Sequence, residues 1–160
     1  MKKILISILL AAMVFCLVAC QENNNLQNQE KSYTFVSGTT KIAIDADAAP
    51  ILAALGAWRD YAESASCAFE GLDKVYTYAG FELQTYPMGE KDFVYMIILQ
   101  DDTVATEQGI RIGDTKDAVL AAYGTPDKQT DTALTYNGTG MYLQFILRDG
   151  AVTSIQYGKQ

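Results

Sequence analysis

Histidine is absent from all 160 residues. That absence removes the general base of Ser–His–Asp and Cys–His chemistry. It also removes the imidazole ligands of most zinc sites. Cysteine is scarce, at positions 16, 20 and 67. Cys16 lies inside an apolar leader and Cys20 at its end. A chain cut before Cys20 and modified on it therefore keeps one free thiol, Cys67, and has no partner for an intramolecular disulfide. Apolar packing must hold the fold, and Cys67, in Ser-Cys-Ala-Phe, reads as a small buried hydrophobe. Basic residues are few: 12 Lys and Arg face 19 Asp and Glu. That balance argues against nucleic acid and against electrostatic adhesion to anionic lipid. No Gly-x-Ser-x-Gly elbow occurs, and no Gly-Lys-Ser/Thr phosphate loop. No catalytic residue, cofactor or metal site is expected, and the chain reads as a non-enzyme.

Long apolar runs are also rare, with one exception at the start. Lys2 and Lys3 precede an apolar stretch over residues 4–19, and Leu17-Val18-Ala19-Cys20 closes it. Charge, then apolar core, then small residues is the order of a signal peptide. At about 16 residues the run is short of the roughly 20 that span a bilayer. The placement of Cys20 matches the lipobox of bacterial lipoproteins, in which the thiol takes a lipid before cleavage frees the amine. Residues 1–19 are thus expected to be a signal peptide and Cys20 the lipidation site. The product would sit on the extracytoplasmic face of a cell membrane through that lipid. Removal of residues 1–19 takes two lysines and moves the formal charge from −7 to −9. Residues 20–32 then form a lipidated, disordered tether, because the stretch QENNNLQNQEK has too little apolar surface to order itself. Its r.m.s. reach is roughly 20 Å.

The remainder divides at about residue 103, because residues 36–56 moved forward by 68 fall on 104–124. Val36, Ile42, Ile44, Leu52, Ala53, Ala54 and Gly56 meet Val104, Ile110, Ile112, Leu120, Ala121, Ala122 and Gly124. Repetition of this kind implies a duplicated unit. In each copy an Ile-x-Ile pair leads into a short helix. Asp47 caps the first, with Pro50 in its opening turn. Asp114 or Thr115 caps the second. Gly56 and Gly124 stand where a helix-ending glycine belongs, and Pro126 follows as a stop. Strands are expected over 66–70, 74–79, 81–86 and 93–100 in the first unit, and over 133–137, 141–148 and 152–158 in the second. Asn137-Gly138 and Asp149-Gly150 are hairpin dipeptides. The fold class expected is α+β: two tandem repeats, 33–103 and 104–160. Each would be a short helix or helix pair on a three- to four-stranded antiparallel sheet.

Ile112-Gly113-Asp114-Thr115, Val119-Leu120 and Tyr123-Gly124-Thr125-Pro126 resemble the signature of the SmpA/OmlA (BamE-type) lipoproteins. That superfamily is similar in fold to the β-lactamase inhibitor protein, a tandem repeat of helices on antiparallel sheet. The resemblance implies a protein-binding envelope module. The first copy departs from it, with Asp45-Ala46-Asp47 in place of Gly-Asp-Thr.

Strand alternation marks a binding face. If Leu83 and Leu143 point to the helices, then Glu82, Gln84, Tyr86, Tyr142, Gln144 and Ile146 point away. The same phase places Val94, Met96 and Ile98 with them and turns Tyr95, Ile97 and Leu99 inward. Such an apolar face does not stay bare. The expectation is capture of an envelope or extracellular protein there, with a homodimer as another occupant. A small-ligand or peptide pocket between the repeats is the alternative. A hydrolase or calcium site built on Asp45, Asp47, Asp101 and Asp102 is the third reading, although their spacing is not that of an EF-hand loop.

Overall fold

The computed structural model describes residues 31–160, so the leader, Cys20 and the tether up to residue 30 lie outside the described residues. A hairpin comes first, β1 (Phe35–Ser37) and β2 (Thr40–Ile42), followed by the helix α1 (Ala48–Leu55). Four strands succeed it: β3 (Asp60–Ala65), β4 (Leu72–Thr77), β5 (Phe81–Met88) and β6 (Lys91–Leu99). A long loop leads to α2 (Lys116–Tyr123). The chain then closes with β7 (Lys128–Gln129), β8 (Ala133–Gly138), β9 (Met141–Arg148) and β10 (Ala151–Lys159). Strands β3 to β10 form one antiparallel sheet in the order β3-β4-β5-β6-β10-β9-β8-β7.

This overturns the expected α+β pair of modules. The halves have no separate sheets, because β10 pairs along β6 from Ile155 opposite Leu99 to Gly158 opposite Met96. Without that pairing, the edge of β6 would leave a row of unmet backbone donors and acceptors beside an apolar core. Among the described residues the helices are two, of eight residues each. Each is about 12 Å long, whereas eight strands at ~4.8 Å spacing span about 34 Å. Helices this short cannot form a layer over such a sheet, and the protein is mainly β.

What the halves share is local. The Asp47 carboxylate accepts from the Ala49 N–H at 3.1 Å, and the Thr115 hydroxyl accepts from the Ala118 N–H at 3.2 Å. Gly56 and Gly124 end the helices at φ 75° and donate to Leu52 and Leu120. At ψ −152° Gly124 occupies a backbone region that is essentially glycine's alone. Just before each helix the chain pairs with a strand. Asp45 N–H donates to Val94 O and Val94 N–H to Ala46 O, while Gly113 N–H donates to Val152 O and Val152 N–H to Asp114 O.

The core lies on one face of the sheet. Met141, Leu143, Phe145 and Leu147 are buried, as are Leu83, Ile97, Leu99, Ile155 and Tyr157. The hairpin adds Phe35 and Ile42, α1 adds Ile51, the long loop adds Ile110, and α2 adds Val119. Around α2 the rings of Tyr123, Tyr136 and Phe145 lie 5.2 to 6.0 Å apart. The Tyr136 hydroxyl donates to Gly124 O at 3.0 Å, which ties the helix end to β8.

Three local expectations need correction. Residues 66–70 are a loop, and the strand before it, β3, has all six residues exposed. With no buried face it offers no alternation to read. Cys67 is exposed in that loop, not buried. The β8–β9 turn falls at Thr139-Gly140, two residues after the expected Asn137-Gly138. There the Thr139 N–H donates to Lys31 O at 2.8 Å and pins the start of the described chain. Asp149-Gly150 does form a turn. Both residues have positive φ, as a primed hairpin turn requires.

Candidate functional site

The opposite face of the sheet carries no helix or hairpin of the described residues, since the hydrophobic residues of those elements join the core cluster. Register assembles its side chains into rows. Gln84 lies opposite Met96, Met96 opposite Gly158, and Gly158 opposite Tyr142. The next row runs Glu82, Ile98, Gln156, Gln144 and Thr135. Ile146 lies beyond, between Ser154 and Ala133. Gly158 leaves room for the Tyr142 ring, which a Cβ there would strike. Burial raises the pKa of the Tyr142 phenol above its ordinary value. Polar residues frame the apolar ones in bonded pairs: Gln84 donates to Glu82 at 2.6 Å, Gln144 to Thr135 at 2.9 Å and Gln156 to Ser154 at 3.4 Å.

Seven of the nine expected face residues are therefore brought together: Glu82, Gln84, Met96, Ile98, Tyr142, Gln144 and Ile146, all half-buried. Val94 and Tyr86 depart from the expectation of exposure. The register of β5 and β6 slips between Gln84 and Thr85, so that Met96 faces Gln84 while Val94 faces Thr85. Tyr95 is the extra residue of this β-bulge. Val94 thereby turns into the core with no exposed surface, and Tyr95, expected inward, is 41% exposed. Tyr86 stays on the outer side but is 5% exposed. Its hydroxyl donates to Asp45 at 2.8 Å, and the Lys159 ammonium stands 5.3 Å from its ring centroid and pairs with Asp45. Burial, then the Asp45 bond, raises the Tyr86 pKa, while the Asp45 bond raises that of Lys159.

Beside Tyr86 lies a groove of about 220 Å³ that the sequence did not signal. Loop residues Ser66, Cys67, Ala68 and Phe69 wall it over strands β4 to β6, where Asp73, Val75, Gln84 and Tyr95 contribute. The Phe69 and Tyr86 rings are 5.0 Å apart at 34°, and those of Tyr86 and Tyr95 6.3 Å apart at 78°. Gly71 lets the loop come down, since a Cβ there would approach Pro87 to 2.9 Å. Reading residues 66–70 as strand, and Tyr95 as inward, concealed this hollow. It lies at β4–β6, whereas the alternative reading of the sequence had a ligand pocket between the repeats.

The aspartates of the third reading sit in caps and turns. Asp47 caps α1 and pairs with Lys91 at 2.7 Å; the Lys91 contact first, then the Ala49 N–H, lowers its pKa. Asp101 accepts from the Thr103 hydroxyl and N–H, which lowers its pKa. Among the described residues no group of three or more Cys, Asp or Glu is placed to hold a metal ion. Trp58 is 46% exposed and packs on Tyr61 and Tyr76 at 6.0 and 5.2 Å. No helix of the described residues is long and apolar enough to cross a membrane.

No family model matches the chain, and no curated protein matches it. Neither comparison supports the expected resemblance to SmpA/OmlA and β-lactamase inhibitor proteins, and the single eight-stranded sheet is not a tandem repeat of helices on sheets. Among solved structures, the chain is similar to an extracellular protein containing an SCP domain from Bacillus anthracis str. Ames, at 12% identity and a TM-score of 0.45. The match covers 81% of this chain and 49% of that one, so the chain spans about half the length of its structural neighbour.

Proposed function

We propose that the chain is a lipid-anchored, extracytoplasmic module that binds a partner protein on the outer face of its sheet. The observation that carries this reading is the one-sidedness of the fold. The hairpin and the two helices of the described residues pack on one side, while Met96, Ile98, Tyr142 and Ile146 share the other in register. An aromatic and aliphatic centre inside a polar frame is the anatomy of a binding surface. Five strands at ~4.8 Å spacing and about six residues of length make a face of roughly 400 Å², half of the ~800 Å² that each partner gives to a standard interface. The partner is therefore held transiently. The leader, the lipobox and the polar tether over residues 1–32 support this location, and the acidic balance leaves the lipid on Cys20 as the source of membrane attachment.

Met96→Lys and Tyr142→Lys place charge at the centre of the face without touching the core. Each is expected to lower partner capture from envelope extracts at least tenfold. Capture that survives both changes would move the binding surface elsewhere. The intact mass of protein taken from envelopes checks the anchor: it should begin at Cys20 and carry acyl chains. A mass that includes residues 1–19 refutes it.

A further inference from the structure

We propose that the groove beneath residues 66–69 binds a small substituted ammonium ion, of the size of choline, against the Phe69 and Tyr95 rings with Asp73 as counter-charge. The inference deepens, and rests on, the reading of the outer face as a binding surface. Three observations converge. The first is size. The hollow holds about 220 Å³. Pockets for drug-sized ligands begin at roughly 300 Å³, so this one suits a head group of few heavy atoms.

The second is the gathering of rings. Tyr86 is the buried floor, and Phe69 and Tyr95, 42% and 41% exposed, rise beside it. The π-face of an aromatic ring attracts cations, and cages of such rings are how quaternary ammonium groups are recognised. The fold already uses the chemistry, since the Lys159 ammonium stands over Tyr86. The third is charge. Lys74 borders the groove but is matched by Asp92 at 2.6 Å, and Lys159 is matched by Asp45. Asp73 lines the groove with no ion pair among the described residues, and Glu70 lines the adjoining hollow. The uncompensated charge is negative. An anion is repelled, and a neutral apolar ligand would leave the attraction unused.

The test titrates the leaderless chain with choline chloride at constant ionic strength and follows the aromatic NMR signals of Phe69 and Tyr95. 3,3-Dimethylbutan-1-ol, the uncharged isostere, serves as control. Choline should bind saturably and the isostere at least tenfold more weakly. Phe69→Leu and Tyr95→Leu should each weaken choline about tenfold. Asp73→Asn should weaken it about fivefold, and Tyr95→Phe, which keeps the ring, should stay within about twofold of the parent. Equal affinity for the isostere, absence of saturation, or shifts confined to tyrosines outside the groove would overturn the assignment.

Phosphatidylcholine vesicles separate two sources of the cation. Cosedimentation lost in Tyr95→Leu identifies a lipid head group, whereas choline binding without cosedimentation identifies a free ion. The Met96→Lys and Tyr142→Lys capture assay keeps the two readings apart. If choline fails while those changes still abolish capture, the groove assignment falls and the protein-binding face stands. If choline saturates and capture ignores them, the reverse holds.

Discussion

Phe145→Ala is expected to cost about 3–5 kcal/mol of folding stability, the range for removing a buried phenylalanine ring. Phe145 has no exposed surface. Its ring meets Tyr123 on α2 at 5.2 Å and Tyr136 on β8 at 6.0 Å, so it is the wedge between the helix and the sheet. Helix α2 is eight residues long, too short to persist in water without that packing. The cavity therefore also loosens the Tyr136–Gly124 hydrogen bond and the cap beyond it. For a folded part of this size the midpoint of thermal unfolding should fall by about 10–20 °C. Urea titration of both proteins measures the difference directly. A loss under about 1.5 kcal/mol, below the range for such truncations, would mean that the aromatic cluster collapses around the gap and does not hold the helix.

Tyr157→Phe should act in the opposite sense and stabilise the protein by about 1–3 kcal/mol, the cost of leaving a buried hydroxyl unpaired. Tyr157 is 1% exposed, and its hydroxyl has no hydrogen-bond partner among the described residues. Phenylalanine keeps the ring while removing the oxygen. Burial holds the folded phenol's pKa above its ordinary value of 10.0. Below pH 10 folded and unfolded chains both keep the proton, so the gain is independent of pH. Above it the unfolded phenol ionises while the folded one does not, and the parent loses stability that the variant keeps. The gap should widen as pH rises past 10, measured by urea unfolding at pH 7 and pH 10.5. An unchanged or lower stability at pH 7 would show that the hydroxyl finds a partner in solution.

Sequence reading succeeded where the governing forces are local. The cap at Asp47, the second cap left between Asp114 and Thr115 and found at Thr115, and the stops at Gly56 and Gly124 depend on residues within one helical turn. The alternation from Met141 to Arg148 holds because one face of β9 is core throughout. Seven face residues were legible for the same reason. Val94 and Tyr95 were not, because a single bulge inverts the phase along a strand and leaves no mark in composition. Strand β3 was missed because exposure on both faces removes the hydrophobic signal. The continuous sheet was missed for a different reason. The pairing of β6 with β10 joins residues almost sixty positions apart through backbone groups, which every residue carries alike. The groove was not legible because it lies where the loop at residues 66–70, expected as a strand, folds over the bulge at Tyr95.

The place of β10 in the middle of the sheet sets the order in which the molecule can become whole. Strand β10 lies between β6 and β9 and holds both flanks. Until it is seated, β3 to β6 and β7 to β9 are two partial sheets with raw inner edges. The pairings that join them are distant in sequence, so the sheet closes in a slow, non-local step that neither group of strands can complete alone.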